Sequence, residues 1–384
     1  MPKGRENRKM TEKIYSMIYY LGFGVLILLA VTCRKNPVAP QDAETLIRNY
    51  VDSGAIPSIA ACIIKNDQIV WQYAYGSANR EEGRSASEET VYLLASISKT
   101  VTGAAVMQLV ERGLIDLDAD ISDYLPFQVR HPQYPDMVIT TRMVLSHRSG
   151  LGWPASPESS FYVTYFNDSA PPLFPWIKEF MLPDGSDYNP SIWRPTAPGE
   201  HYWYSNFGGA FLGYLVEEVS GENFKDYCKN HIFQLLDMPN TSFKLSDIDD
   251  NLLAMPYEGN ENPFGHFTYI YYPSACLRSS ICDLSHFIIA MMNGGIYNGS
   301  RILLESTVEA MLTRYYPDNE VGLIWKMPGG GWYEHSGTMV GTSAQSEFHK
   351  DDKVGILVLS NGESDMVKRG GMIYEFIKEK AQTY

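Results

Sequence analysis

WYEHSGTMVGTSAQSEFHKDDKVGILVL, residues 332–359, reads as three β-strands in succession. Trp332–Met339, Thr342–Phe348 and Val354–Leu359 are strand-prone runs, and Lys350-Asp351-Asp352-Lys353 supplies the turn between the last two. A second hairpin opens the chain's folded part: Ser58–Ile64 and Ile69–Tyr75 flank Lys65-Asn66-Asp67-Gln68. Outward from these strands the period changes. Residues 43–53 read as a short helix, and Met372–Ala381 as an amphipathic one through Ile373, Phe376 and Ile377. From Ser96 to Arg112 the apolar residues Val101, Ala104, Ala105, Val106, Leu109 and Val110 recur at helical spacing, and Gly113 ends the run. The stretch 114–285 is rich in proline and aromatic residues, with helices expected at Thr141–Leu145, Gly208–Val219 and Phe224–Leu236. Strands at both ends of a helical middle predict an α/β plus all-α architecture. One antiparallel sheet flanked by helices comes from residues 42–113 and 286–384, and residues 114–285 form an inserted, mostly helical domain.

Composition sets the outer bounds. The 384 residues are 45% hydrophobic and 20% charged, which fits a globular body and excludes a disordered or polytopic membrane chain. A net charge of -14 works against a nucleic-acid partner, because phosphate backbones are bound by clustered Lys and Arg. The positive charges gather instead at the start. Lys3, Arg5, Arg8, Lys9 and Lys13 precede the almost uncharged run Ile14–Thr32, the pattern of an export signal. Cys33 follows Leu29-Ala30-Val31-Thr32, which resembles the lipobox of bacterial lipoproteins, although Thr32 stands where Gly, Ala or Ser is usual. Residues 1–33 are therefore read as an export signal with Cys33 as lipidation site, an uncleaved membrane anchor being the alternative. Residues 34–41 form a linker, and the body lies in the cell envelope, on the periplasmic or extracellular face of a membrane. Cleavage would remove five positive and two negative charges and leave -17. The remaining cysteines, Cys62, Cys228, Cys276 and Cys282, match no metal spacing, and no two histidines fall three to five residues apart.

Three short motifs carry chemistry. Ser96-Ile97-Ser98-Lys99 puts a serine at the start of a helix and a lysine three residues on, within reach to take its proton. The positive end of the helix would favour the anion that forms. The pattern alone also describes a helix start with an exposed lysine. Tyr204-Ser205-Asn206 follows the turn-forming Pro198-Gly199 and offers a phenol that can relay protons and an amide that can both donate and accept. His335-Ser336-Gly337-Thr338 lies on a strand whose glycine lets another group approach the backbone. Singly, a tyrosine among 26 or a histidine on a strand is more often structural.

Taken together, the three resemble the signature of the serine β-lactamases and penicillin-binding proteins: S-x-x-K, a Y-x-N, then K-T-G or its H-[ST]-G variant. The Y-x-N form is similar to the class C β-lactamase and DD-peptidase-like family, which also holds esterases, D-aminopeptidases and acyltransferases. Ile56-Pro57-Ser58, Leu114–Asp118, Tyr124-Leu125-Pro126, Ile139-Thr140, Leu145–Leu151 and Leu359-Ser360-Asn361 extend the resemblance over about residues 42–380. It implies a β-lactamase/transpeptidase-like fold and a cofactor-free serine hydrolase working through an acyl-enzyme on a small-molecule or peptide ester or amide. Ser96 would be the nucleophile, and Lys99 its proton acceptor or the cation that keeps its partner ionised. Tyr204 would be the general base and acid at the leaving group. The backbone N–H groups of Ser96 and Thr338 would form the oxyanion hole, with Asn206, His335, Ser336 and Gly337 binding substrate. Two departures stand out. Ser274-Ala275-Cys276-Leu277 replaces a glycine-containing stretch, and His335 replaces the lysine of true class C β-lactamases. A histidine is mostly neutral above about pH 6.5, so the site is expected to prefer neutral substrates and to lose that preference as acid charges His335. Trp153 and Trp193 are candidates for lining the pocket, with packing as the alternative. A membrane-anchored penicillin sensor, acylated on the same serine and slow to deacylate, is the competing function.

Overall fold

The computed structural model describes residues 42–156 and 158–384. The export segment, Cys33 and the linker through Gln41 lie outside the described residues. Among the described residues no helix is long and apolar enough to cross a membrane.

The main sheet has seven strands: β1 (Ser58–Lys65), β2 (Gln68–Asn79), β3 (Arg84–Ser85), β4 (Lys326–Gly329), β5 (Trp332–Met339), β6 (Thr342–His349) and β7 (Val354–Ser360). Their order is β4-β5-β6-β7-β1-β2-β3, and every pairing is antiparallel. The helices that matter below are α1 (Ala43–Asp52), α2 (Ser98–Glu111), α3 (Thr141–Leu145), α4 (Asn206–Ser220), α5 (Ile281–Met292) and α6 (Met372–Ala381).

The first strand is an interior one, fifth of the seven, where both ends of the chain meet: Ile59 faces Tyr75 on one side and Ser360 on the other. That place explains its apolar sequence without alternation, because both faces of a covered strand are buried. Ile59, Ala61 and Ile63 enter a core with α1 and α6, whereas Ala60, Cys62 and Ile64 enter the larger core with α2 and α5. The β1–β2 turn is made by Asn66 and Asp67, both at positive φ (49° and 67°), which asparagine and aspartate tolerate best after glycine. Behind the sheet, α2 is buried from Ser98 through Leu109 and packs against α4. Most of its length is apolar, and its buried polar side chains, among them Ser98, Lys99 and Thr102, are hydrogen-bonded.

Four details differ from the sequence reading. Ser96 lies in a 3-10 turn, Ala95–Ile97, and the α-helix begins only at Ser98. The helix expected over Phe224–Leu236 is α-helical to Cys228 and then widens into a π turn, Lys229–Phe233. The domain break expected between residues 285 and 286 falls inside α5, which packs on β1 and β7, so the chain returns to the sheet at the start of that helix. Finally, β4 carries the sequence KMPG, whose proline and glycine hide a strand, and it is paired with β5 only at Lys326–Glu334 and Gly329–Trp332. Cys62, Cys228, Cys276 and Cys282 are all unpaired.

Candidate active site

Ser96 is presented by a strained turn. Ala95 before it has φ +46°, a left-handed conformation that a residue with a Cβ rarely holds without support. The support comes from the Leu94 N–H donating to the Leu277 carbonyl at 2.9 Å. Ser96 remains partly exposed, while Ser98 two residues on is fully buried. The Ser98 hydroxyl donates to the Ala95 carbonyl (2.6 Å) and accepts from the Leu277 N–H (2.9 Å), so it braces the turn instead of facing a substrate. The other wall is β5. A Cβ on Gly337 would lie 2.1 Å from the Leu94 carbonyl oxygen, so only glycine lets this strand edge run against the serine turn. Gly337 thus sets the distance between Thr338 on the strand and Ser96 on the turn, the two residues expected to supply oxyanion-hole N–H groups.

Lys99 is fully buried and points back to that serine. Its Nζ lies 3.1 Å from Ser96 Oγ, 2.7 Å from Asn206 Oδ1 and 2.9 Å from the Ser274 carbonyl. Burial holds the amine well below the ordinary lysine value, and the charge of Lys326 adds to the effect. A neutral amine has two N–H bonds and one lone pair. Two N–H bonds meet Asn206 and Ser274, and the lone pair is left for the Ser96 hydroxyl.

Tyr204 covers this lysine, with Nζ 4.8 Å from its ring centroid. Burial pushes its phenol above the usual value, while the hydrogen bond with Ser96 works the other way, so the hydroxyl holds its proton at neutral pH. Ser205 caps α4 by accepting from the Gly208 N–H at 2.7 Å, which fixes Tyr204 and Asn206 on either side of the helix start. Trp153 stands edge-on to Tyr204 at 5.7 Å, at the site, whereas Trp193 packs on His131 at 5.1 Å.

Two buried histidines flank the phenol. His335 Nδ1 donates to the Ser336 carbonyl (2.9 Å), leaving Nε2 as an acceptor with no partner. His147 Nδ1 accepts from the Ser205 N–H (3.2 Å), leaving the proton on a partnerless Nε2. Their rings lie 6.3 Å and 4.6 Å from that of Tyr204. Burial takes His147 down to about 3 and His335 well below its ordinary value. The sequence-based expectation that mild acid would charge His335 is therefore corrected: burial holds this ring well below its ordinary value. The positive charges near β5 sit elsewhere. A cavity of about 470 Å³ beside Ser336 is lined by Glu334, Gln345, Lys368 and Arg369, among others, and Lys368 Nζ donates to Thr338 Oγ1 at 3.1 Å.

The structure brings together Ser96, Lys99, Tyr204, Asn206, His335 and Gly337, whereas the Ser336 side chain lines the cavity with Glu334 and that of Thr338 meets Lys368. Sequence reasoning missed two participants. Ser274 acts through its backbone carbonyl, which leaves no signal in the side chain. His147 lay within the stretch Leu145–Leu151, but nothing local pointed it at Tyr204. Among the described residues no three His, Cys, Asp or Glu side chains converge as a metal site.

The sequence model of the Beta-lactamase family matches residues 43–375. Protein flp of Staphylococcus aureus strain MRSA252 is 26% identical over 343 residues, which is 86% of this chain and 64% of that protein, so the chain spans less than two thirds of its length. The putative penicillin-binding protein PbpX of Bacillus subtilis strain 168 is 24% identical over 351 residues, 88% of this chain and 81% of that protein. Among solved structures, a class C beta-lactamase superposes with a TM-score of 0.70 at 18% identity, covering 88% of this chain and 96% of that one. The octameric penicillin-binding protein homologue from Pyrococcus abyssi gives 0.64 at 24%, covering 84% and 73%. These structural likenesses establish a common fold.

Proposed function

We propose that this chain, which belongs to the beta-lactamase family, is a serine hydrolase that cleaves an ester or amide through an acyl-enzyme on Ser96. The observation that carries the reading is the buried Lys99 amine, held well below the ordinary lysine value and 3.1 Å from Ser96 Oγ. Lys99 takes the hydroxyl proton as Oγ attacks the substrate carbonyl. The oxyanion meets the N–H groups of Ser96 and Thr338, an interaction whose loss typically costs about 10²- to 10³-fold. Tyr204 keeps its proton at neutral pH and donates it to the departing oxygen or nitrogen, and is reprotonated from Lys99. Water then repeats the sequence in reverse on the acyl-enzyme. Asn206 has one side on Lys99 and its amide N–H₂ free for the acyl group. His335 stays neutral and offers an Nε2 acceptor beside the leaving group.

The reaction class covers small acyl esters, D-amino-acid peptides and slow β-lactam turnover, and the work site is the outer face of a membrane with Cys33 lipidated. Intact residues 1–32 on the mature protein would replace the lipid with a membrane-spanning anchor. For the chemistry, a nitrophenyl ester series, D-alanyl peptides and a chromogenic cephalosporin are offered to wild type, Ser96→Ala and Lys99→Met. Multiple turnover that both variants lose by orders of magnitude is expected, with a fluorophosphonate adduct on Ser96. An adduct on another residue overturns the assignment. Stoichiometric trapping of penicillin without turnover of any ester would make the protein a sensor.

A further inference from the structure

We propose that His147 is a positioning residue for Tyr204: it grips the chain on both sides of that tyrosine and so aims the phenol at the leaving group. This role rests on the proposed hydrolase reading and names what sets its proton donor in place. The grip has two parts. The Trp203 N–H donates to the His147 carbonyl at 2.7 Å, and the Ser205 N–H donates to His147 Nδ1 at 3.2 Å. Main chain and side chain of one residue thus hold the amides immediately before and after Tyr204. The imidazole itself lies against the phenol, with ring centroids 4.6 Å apart, and stands edge-on to Tyr202 at 5.8 Å. It is buried, so packing fixes its orientation.

Local backbone geometry favours a different residue at this position. The helix α3 ends in a Schellman turn, in which the His147 N–H donates to the Val144 carbonyl (3.1 Å) and the Arg148 N–H to the Met143 carbonyl (2.6 Å). The turn holds His147 at φ +58°, the left-handed position that helix ends commonly give to glycine, because a Cβ is strained there. As a cap for α3 alone, glycine would serve better. What histidine adds is the acceptor for Ser205 and the surface against Tyr204. Strain of this kind persists where the surroundings over-determine it, and such places cluster at working sites. The neighbouring contacts set the course of the segment 199–205. The Gly199 N–H donates to the Arg148 carbonyl (2.7 Å), Arg148 Nη1 to the Glu200 carbonyl (2.8 Å), and Ser205 Oγ to the Gly152 carbonyl (2.7 Å). The two bonds of His147 straddle the tyrosine within that segment.

A proton donor matters most when the leaving group is strongly basic and least when it departs readily as an anion. Misplacing Tyr204 therefore shows as a dependence on the leaving group. A general loss of stability, or damage to Ser96, would slow good and poor leaving groups alike.

Ethyl butyrate and 4-nitrophenyl butyrate share an acyl group and differ in the leaving group, and the readout is the ratio of their kcat/KM values, ethyl over nitrophenyl. In His147→Gly, which relieves the backbone but offers no acceptor, the ratio should fall about 10- to 100-fold. His147→Leu keeps a bulky side chain and also lacks the acceptor; it should do the same, and it carries the test if the glycine variant does not fold. His147→Asn tolerates the left-handed backbone and brings an Oδ1 acceptor near the place of Nδ1, so it should recover most of the ratio. In a Tyr204→Phe background the substitutions at 147 should leave the ratio where Tyr204→Phe has put it, because they act through that phenol. Crystal structures of the variants read the position directly, even if no ester turns over and the hydrolase reading fails. The Tyr204 hydroxyl should be displaced by about 1 Å or more when the acceptor is removed and should stay in place in His147→Asn. A ratio unmoved by loss of the acceptor overturns the proposal, as does an undisplaced Tyr204 hydroxyl. A glycine variant that outperforms the asparagine one overturns it too, since His147 would then be no more than the end of α3.

Discussion

Two neutral histidines locked beside the nucleophile should make the protein's stability fall steeply in mild acid, and the slope can be assigned to named residues. His147 and His335 are 2% and 1% exposed. The first is taken down to about 3 and the second well below its ordinary value, in both cases by burial first and by Lys99 next. In the unfolded chain each titrates near about 6.5. Below that pH the unfolded state binds a proton that the native state refuses, so acid favours unfolding. Each histidine should contribute about 1.4 kcal/mol per pH unit until the native pKa is reached. From pH 6.5 to 4.5 that is about 2 kcal/mol for His147, and His335 adds in the same direction, against a total stability of about 5–15 kcal/mol for an ordinary domain. The assay is urea unfolding at pH 7.5, 6.5, 5.5 and 4.5 for wild type, His147→Asn and His335→Gln. Asparagine suits position 147, where φ is +58°. Each substitution costs stability at every pH, so the reading is the difference in slope. His266, taken down to about 4, and His131 add to the slope of all three proteins and cancel in that difference. The His147 variant should lose about 2–3 kcal/mol less than wild type across the window, and the His335 variant should also lose less. Variants that keep the full wild-type slope would show that these rings titrate normally, and the neutral site drawn around Tyr204 would be wrong.

Gly337→Ala should force β5 back by about 1 Å, since its Cβ would otherwise meet the Leu94 oxygen at 2.1 Å. A fall in kcat of about 100-fold or more, larger than any change in KM, is expected, and near-normal kcat would remove Gly337 from the spacing argument. Ser98→Ala should leave Ser96 labelling by a fluorophosphonate intact while costing about 1–3 kcal/mol in urea unfolding, because the buried Leu277 N–H loses its acceptor. Loss of labelling in a folded variant would transfer the nucleophile's role to the wrong serine. Because Lys99 is held below the ordinary lysine value, kcat/KM for a neutral ester should level off well below pH 10. A tenfold rise per pH unit persisting to pH 10 would mean that Lys99 titrates as an exposed lysine.

Much of this molecule is legible from neighbours in the chain. The unbroken apolar run Ser58–Ile64 predicts a strand covered on both faces, and its hairpin turn is written in Asn66-Asp67. The strands after Trp332 and the helix from Met372 follow from period alone, because side-chain alternation and helical spacing are set by local backbone geometry. The spacing of Ser96 and Lys99 is local too, which is why the pair could be named without a structure. What the tertiary structure decided is the state of those groups. Lys99 meets Asn206 across 107 positions and the Ser274 carbonyl across 175, and those contacts, with burial, make it a base. His335 reads as a titrating residue by type, yet its enclosure in the folded protein holds it well below its ordinary value. Desolvation and Coulomb interaction depend on distance in space, and they act here between segments that the chain order keeps far apart.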